Sequence, residues 1–240
     1  MSWTYIGHCH TRHSFDSLAD PTALVRHAAQ LGAHVLAVTD HDTWQGSIDA
    51  RAAAEKLKLD LHVIIASEVA TDQGDVIGLF LKRDVRGPSA LEVCDAIHAD
   101  HGLTVLPHPY KWHQLDEALL SRIDIVEVHN GRTSRGDNIR AAELAFKRRL
   151  PELAGPDAHR IGELGLARVE FDGERPRDEA ALKDALLHAP RRLVTTPGSH
   201  WNEWLSQGVK LVREPSPAAA WGFVRAGLRR IVKPGEYGLG

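Results

Sequence analysis

The stretch His34–Asp42, HVLAVTDHD, carries the pattern that decides the fold. A short, mostly apolar run is followed at once by residues that ionise, as in a buried parallel strand that ends at a polar rim. LHVIIAS at 61–67, LTVL at 103–106 and IDIVEVH at 123–129 repeat this arrangement. The pattern therefore predicts several buried parallel strands with polar residues at their carboxyl ends.

Helical segments separate these strands. Asp20 followed by Pro21 is typical of a helix start and Gly32 of a helix end, while Ser89 and Glu92 have the spacing of a capping box. Further helices are predicted near 50–57, 115–120, 138–149, 178–187 and 217–229, and further strands at 5–10, 75–81, 153–155 and 167–171. The alternation predicts an α/β fold, either an open doubly wound sheet or a closed barrel.

The composition is that of an ordinary globular chain, with 240 residues, 43% of them hydrophobic and 25% charged. A formal charge of −3 provides no general basic field, which argues against a dedicated binder of duplex DNA. No stretch approaches the roughly 18 apolar residues of a membrane span, and Cys9 and Cys94 indicate reduced intracellular thiols. We expect a single domain over residues 1–240, located in the cytoplasm and without a membrane partner.

Residues that can bind metal follow almost every predicted strand. In chain order they are His8 and His10, Asp40 to Asp42, Glu68, His108, Glu127 and His129, and Asp157 and His159. The carboxyl ends of barrel strands meet at one rim, whereas an open sheet would bring these residues together less well, so the pattern favours the barrel. Mixed imidazole and carboxylate ligands are typical of Zn, Mn or Fe and argue against a calcium site.

Two of these pairs have the same spacing. His8 and His10 are two residues apart on a strand, so both side chains should point to one face and bind one ion, while Cys9 points away. Asp157 and His159 repeat the spacing late in the chain and can complete the ligand shell from the opposite side.

Taken in order, these motifs resemble those of the PHP superfamily, named for its polymerase-associated and histidinol phosphatase members. The matching segments are HCHT at 8–11, TDHD at 39–42, SEV at 67–69, GDVIG at 74–78, LPHP at 106–109, VEVHNGR at 126–132 and GPDAH at 155–159. The resemblance covers about residues 5–170. We expect residues 171–240 to be an α-rich completion of the same domain.

The resemblance implies a distorted (β/α)7 barrel, similar to a TIM barrel, with two or three divalent metal ions per chain. It implies a first ion bound by His8, His10, Glu68 and Asp157. It implies a second ion bound by Asp16, His41 and His159. A third would be bound by Glu68 and His108, with Asp75 as an oxygen ligand where many members carry histidine.

The resemblance also implies a metal-dependent phosphoesterase, in which a metal-activated water hydrolyses phosphate monoesters or nucleotide phosphoesters. Asp42 and His129 are candidates for protonating the leaving group. Arg12, Lys111 and Arg132 follow strand ends and are candidate phosphate-binding cations. The expected partner is a small phosphorylated substrate, for example a nucleotide or short oligonucleotide.

Three other interpretations stay open at this point. The first is a 5′-to-3′ exonuclease on short oligonucleotides, which uses the same chemistry. The second is a non-catalytic metal-binding scaffold domain. An amidohydrolase that cleaves C–N bonds is the third, and it ranks low because nothing in the sequence marks a carbamylated lysine.

Overall fold

The computed structural model describes residues 2–196, 200–213 and 215–232. Over these residues strands and helices alternate along most of the chain, and their bounds follow in chain order. They are β1 (Ser2–Cys9), α1 (Pro21–Gln30), β2 (Val35–Val38), α2 (Gln45–Lys56), β3 (His62–Thr71), β4 (Gly74–Leu79), α3 (Ala90–Ala99), β5 (Leu103–Leu106), α4 (Glu117–Leu120), β6 (Ile125–Asn130), α5 (Arg135–Arg148), β7 (Glu152–Gly155), a 3₁₀ helix (Ile161–Leu166), β8 (Ala167–Asp172), α6 (Glu179–His188), β9 (Arg191–Thr195), α7 (His200–Arg213) and α8 (Pro217–Val232).

The first seven strands form a nearly closed barrel. Each strand from β1 to β7 pairs with the next, and all of these pairs are parallel except the two made by β4. The ring closes at the carboxyl ends, where Cys9 and Ala158 form a parallel bridge and the His10 amide donates to the Ala158 carbonyl at 2.8 Å. The predicted distorted seven-stranded α/β barrel is confirmed.

The opposite end of the barrel contains two strands outside the (β/α)7 pattern. β8 pairs antiparallel with residues 2–5 of β1, and β9 pairs antiparallel with β8. Trp3 and Phe171 stack there with ring centroids 4.2 Å apart, and both side chains are almost completely buried. These strands and rings close the amino-terminal end of the barrel. A functional site is therefore expected at the opposite, carboxyl end.

The helix starts follow local chemistry. The Asp20 carboxylate accepts hydrogen bonds from the amides of Thr22 and Ala23, and Ser89 accepts from the Glu92 amide, as their positions in the sequence predict. The helix predicted at 50–57 begins earlier, at Gln45. In the described part of the chain, no helix has the length and apolar character needed to cross a membrane.

Candidate metal centre

The backbone at the barrel mouth adopts an uncommon conformation at four non-glycine residues. His8, Asp42, His108 and Asp157 have φ angles of 58°, 52°, 30° and 49°. Side chains with a Cβ rarely occupy this left-handed region, and it costs free energy that the surrounding fold must supply. Such strain is common at functional sites, and here all four residues lie near the carboxyl ends of barrel strands.

Glu68 lies at the centre of this mouth and is fully buried. Its Oε2 atom is 3.4 Å from His8 Nε2, 3.5 Å from His10 Nε2 and 3.3 Å from His41 Nδ1. Its Oε1 atom is 3.1 Å from His108 Nε2. One carboxylate therefore faces imidazoles supplied by the carboxyl ends of three strands: His8 and His10 from the end of β1, His41 from the turn after β2 and His108 from the turn after β5.

Asp157 completes the same group from the other side of the barrel. Its Oδ1 atom is 3.7 Å from His8 Nε2, 3.5 Å from His10 Nε2 and 3.4 Å from His159 Nδ1. The structure thus brings together the four residues expected at the first ion, two early in the chain, Glu68 in β3 and Asp157 after β7.

The residues expected at the second ion also lie together. Asp16, in the loop between β1 and α1, has its Oδ2 atom 2.9 Å from His159 Nε2 and 3.7 Å from His41 Nε2. The His10 ring stands between them, with its centroid 4.5 Å from that of His41 and 4.2 Å from that of His159. This places the two expected sites next to each other.

Asp75 is the outermost residue of the group. It lies on β4, its Oδ2 atom is 4.0 Å from His108 Nε2, and its side chain is 24% exposed. Together with His108 and Glu68 it forms a third group that could hold a cation.

The donor set fits a cluster of divalent ions. Four groups of three side chains have ligand atoms within 4.8 Å of one another: His10, His41 and His159; His8, His108 and Asp157; His8, His10 and Glu68; and Glu68, Asp75 and His108. His8 Nε2, His10 Nε2, Asp16 Oδ1 and Glu68 Oε2 are buried and have no hydrogen-bond partner among the described residues. Each such atom costs about 1–3 kcal/mol without a partner, and a bound cation would remove that cost.

The electrostatics give the two carboxylates and His10 the protonation states that metal ligands need, but not His8 and His41. Burial by itself would raise the pKa values of Glu68 and Asp157, but the charge of His8 and hydrogen bonds from neighbouring imidazoles lower both well below the usual range. Burial, followed by the charges of His159 and His41, lowers the pKa of His10 to about 3. Ionised carboxylates and a neutral imidazole are the forms that bind a metal ion.

Burial by itself would lower the pKa values of His8 and His41, but nearby carboxylates, Glu127 first for His8 and Glu68 first for His41, raise the pKa of His8 well above its usual range and that of His41 to about 9. A bound ion would have to displace these protons.

Glu127, in the middle of β6, orients two of these ligands. His8 Nδ1 donates to its Oε1 atom at 2.8 Å, which leaves His8 Nε2 directed at the cluster. Its Oε2 atom accepts from the His108 amide at 3.0 Å and from Asn130 Nδ2 at 2.9 Å. A Cβ atom at Gly155 would lie 2.0 Å from Glu127 Oε1, so glycine is needed to make room for this carboxylate.

Glu127→Gln is expected to weaken metal binding and to lower kcat by about 10- to 100-fold, the usual effect of losing a group that orients a metal ligand. The NH₂ group of the glutamine would face another hydrogen-bond donor in either orientation. It would face either His8 Nδ1–H or the His108 amide and Asn130 Nδ2, which Oε2 now accepts from. Metal affinity measured by equilibrium dialysis checks this, with the exposed Glu143→Gln as control. Wild-type affinity in Glu127→Gln would show that the carboxylate does not orient the ligands.

Asp40 has a similar role on the other side. Its carboxylate accepts from the Thr11 amide at 2.6 Å, from the Thr11 hydroxyl at 2.7 Å and from the Ser14 hydroxyl at 2.6 Å. The Ser14 oxygen in turn lies 3.2 Å from His10 Nδ1 and accepts from the His41 amide at 3.0 Å. Through Ser14, Asp40 thereby fixes the loop, the ring of His10 and the backbone of His41.

The predicted phosphate-binding cations have different surroundings. Lys111 lies at the cluster, with Nζ 3.9 Å from Asp157 Oδ2. Arg132 is 8% exposed and donates to the Ser206 hydroxyl at 2.9 Å. Arg12 does not join the cluster: its guanidinium is 55% exposed and pairs with Asp20 at 2.6 Å. Of the three predicted cations, Lys111 is thus placed beside a clustered ligand, while Arg132 lies near Ser206 and Glu163, and Arg12 pairs with Asp20.

The two predicted acid–base residues are also separate from the cluster. His129 Nδ1 lies 3.4 Å from the Asn138 amide nitrogen, and Asp42 accepts from the Ala70 amide at 2.9 Å. Within the described ranges, neither side chain forms a hydrogen bond or ion pair with a ligand side chain, although the Asp42 amide donates to the Glu68 carbonyl at 2.8 Å. The register of β6 against β7 shifts between Glu127 and His129, and this bulge breaks the alternation that would put both side chains on one face.

Comparison with known proteins agrees with this geometry. The sequence pattern of the PHP domain family matches residues 7–186, which are 180 of the 240 residues. The chain belongs to the PHP domain family. The resemblance seen in the motifs is thereby confirmed, and all nine predicted ligands lie within the matched part.

Individual relatives cover different shares of the chain. The uncharacterized protein MJ1587 of Methanocaldococcus jannaschii is 34% identical over 139 residues, covering 51% of this chain and 79% of that protein. A 5′-3′ exoribonuclease of Haemophilus influenzae is 39% identical over 72 residues, covering 30% of this chain and 25% of that protein. The structure of PsfC from Pseudomonas syringae superposes with a TM-score of 0.61 at 15% identity, covering 96% of this chain and 98% of PsfC, and shows the same fold.

Proposed function

We propose that the chain is a metal-dependent phosphoesterase that hydrolyses phosphate monoesters or nucleotide phosphoesters. The observation that carries this proposal is the convergence of Glu68, Asp157 and Asp16 with the imidazoles of five histidines at one barrel mouth. A lysine ammonium, that of Lys111, lies beside them. The donor set suits Zn, Mn or Fe rather than calcium.

The assignment of ligands in this proposal follows the geometry. A first ion would be held by His8, His10, Glu68 and Asp157. A second would be held by Asp16, His41 and His159. A third would be held by Glu68, His108 and Asp75. When bound, such ions lower the pKa of a coordinated water from about 16 toward about 7 and neutralise phosphoryl charge.

The side chains around the opening of the site would bind and orient the phosphate ester. His41 and Asp75 are the ligands with clear exposure, at 16% and 24% of their side chains, so the opening lies above them. Lys111 stands at the same mouth, 22% exposed, and can donate to a phosphoryl oxygen. Asp42, on the rim next to His41, and His129, beside Asn138 of α5, are the candidates for protonating the leaving oxygen.

Trp112 supports a substrate that contains a ring. Its side chain is 65% exposed, its φ angle is 67°, and the Lys111 ammonium lies 5.1 Å from its ring centroid. The fold thus holds the indole in a strained conformation that faces solvent. Lys111 lies between this ring and Asp157 and contacts both. A nucleobase stacked on an aromatic ring contributes about 1–3 kcal/mol.

A second candidate function is 5′-to-3′ exonuclease activity on short oligonucleotides. It is favoured by the similarity to the Haemophilus influenzae 5′-3′ exoribonuclease and by the same exposed indole. Hydrolysis of a terminal phosphodiester and of a phosphomonoester needs the same cations and the same activated water. The two candidates therefore differ in whether the attacked phosphorus carries one ester bond or two, and hence in the negative charge of the phosphate group.

A substrate panel tests the proposal. The protein would be incubated with Mn²⁺ and nucleoside 5′- and 3′-monophosphates, ribose 5-phosphate, and trinucleotides with and without a 5′-phosphate. We expect phosphate release from the nucleotides with kcat/KM about tenfold above that of the ring-free ribose 5-phosphate, because of stacking on Trp112. Mononucleotides released from the 5′ end of trinucleotides would establish the exonuclease. If no ester is hydrolysed, the phosphoesterase proposal is wrong and the scaffold interpretation stands.

A further inference from the structure

Helix α7 lies outside the part of the chain that matches the PHP family, yet one of its faces contacts the loops that surround the metal centre. The family match ends at residue 186, and α7 begins at His200. Ser206, Lys210 and Arg213 are spaced four and three residues apart, which puts them on the same face of a helix. Each of the three contacts a loop that follows a barrel strand.

Arg213 makes the most extensive of these contacts. Its Nη1 atom donates to the Ser14 carbonyl at 2.6 Å and to the Ser17 carbonyl at 2.9 Å, and its Nη2 atom donates to the Arg12 carbonyl at 2.9 Å. One guanidinium thus binds three backbone carbonyls of the same loop. Arginine is suited to this because its planar fork presents several donors in a fixed arrangement.

These carbonyls lie on both sides of Asp16 in the sequence. The Asp16 carboxylate reaches His159 Nε2 at 2.9 Å, and its Oδ1 atom is buried with no hydrogen-bond partner among the described residues. On its far side, the loop is fixed by the Ser17 hydroxyl, which donates to the carbonyls of His10 and His159. Arg213 is therefore the outer restraint on the loop that presents Asp16.

The rest of the α7 face contacts the same region. The Lys210 ammonium lies 4.3 Å from the Phe15 ring centroid, and the Phe15 ring stacks on His41 with centroids 4.9 Å apart. The Ser206 hydroxyl accepts from Arg132 at 2.9 Å. Arg213 thus contacts the loop that carries Asp16, and Lys210 contacts the Phe15 ring that stacks on His41. Asp16 and His41 are both expected ligands of the second ion.

We propose that Arg213 is a positioning residue of the metal centre. Its guanidinium holds the carbonyls that flank Asp16, so that this carboxylate is preset to bind the second ion together with His41 and His159. The inference rests on the proposed metal-dependent function, because it assigns α7 a role only if ions occupy the cluster. Helix α7 is then part of the site rather than an appended segment.

Metal stoichiometry tests this inference without relying on activity. Metal-free protein would be dialysed against Mn²⁺ over a range of concentrations, and bound metal would be measured per chain for five proteins. They are the wild type, Arg213→Ala, Arg213→Lys, Asp16→Ala and the control Arg225→Ala, which removes an exposed arginine of α8.

We expect Arg213→Ala to bind one equivalent of Mn²⁺ at least tenfold more weakly than the wild type, as in Asp16→Ala, and to bind the others normally. Arg213→Lys keeps the positive charge but loses the forked donors of the guanidinium, so its affinity for that equivalent should lie between those of the wild type and Arg213→Ala. Arg225→Ala should bind Mn²⁺ like the wild type. A general loss of structure would weaken every equivalent alike, which distinguishes it from positioning.

Wild-type affinity for every equivalent in Arg213→Ala, or equal weakening of all of them, would overturn the inference. If Arg213→Ala does not fold by circular dichroism, Arg213→Lys decides in the same way. A wild-type protein that binds no Mn²⁺ would instead contradict the proposed function itself, so the two failures are distinct.

Discussion

Replacing Glu68 with glutamine is expected to lower kcat/KM for phosphate ester hydrolysis on the order of 10³-fold. Glu68 faces the imidazoles of His8, His10, His41 and His108 at 3.1 to 3.5 Å, so it is an expected ligand of the first and third ions and lies next to a ligand of the second. Stabilisation by metal ions contributes several kcal/mol to such a reaction, and about 1.4 kcal/mol corresponds to a tenfold change in rate.

Steady-state kinetics on the best ester of the substrate panel check this expectation. Glu55→Gln is the matched control, because it makes the same chemical change on an exposed face of α2. Circular dichroism should show that both variants keep the fold. A Glu68→Gln protein with kcat/KM within a factor of ten of the wild type would contradict the central place given to this carboxylate.

Removing divalent ions with a strong chelator is expected to abolish phosphate release and to lower the thermal unfolding midpoint. Without cations, the buried carboxylates of Glu68, Asp157 and Asp16 lose a partner that is present only in the folded protein. A ligand at 1,000 times its dissociation constant contributes about 4 kcal/mol to the folded state. For a domain of this size that corresponds to a shift of about 8–16 °C.

Calorimetry and phosphate release, followed on the same sample through chelation and metal addition, measure both effects. Activity and the unfolding midpoint should return together when Mn²⁺ or Zn²⁺ is added after the chelator is removed. Mg²⁺ should restore less, because imidazole-rich sites suit it poorly. Full activity in protein shown to be free of metal would contradict the proposed chemistry.

Much of the barrel could be predicted because two features of the sequence indicate each buried strand: an apolar run and an ionisable residue directly after it. Runs such as HVLAVT and LHVIIAS are apolar enough to be buried on both faces, and an ionisable residue follows each run. Since parallel strands place their carboxyl ends on one rim, strand positions alone were enough to expect that His41, Glu68 and Asp157 would meet. The structure brings them together.

The roles of Glu127 and His129 could not be separated in this way. Simple alternation puts both on one face of β6, and a histidine at a strand end looks like the stronger candidate. The shift in register between them turns Glu127 toward His8 and leaves His129 beside Asn138. A bulge of this kind depends on the fit between β6 and β7, which the sequence of β6 does not encode by itself.

The pairing of β9 and the contact of α7 with the loop of Asp16 could not be predicted from the sequence either. RRLVT at 191–195 is a half-exposed strand with two arginines, and its pairing with β8 depends on a partner strand that no periodicity identifies. Arg213 meets the loop of Asp16 across about two hundred positions of sequence. Contacts of such separation are set by how helices pack on the finished barrel.

The most direct test of the account is the metal content of the chain purified without chelator and then loaded with Mn²⁺ or Zn²⁺. Elemental analysis should find two or three transition-metal ions per chain that remain after gel filtration. A total below one ion per chain, in protein that circular dichroism shows to be folded, would mean that these imidazoles and carboxylates do not form a metal centre.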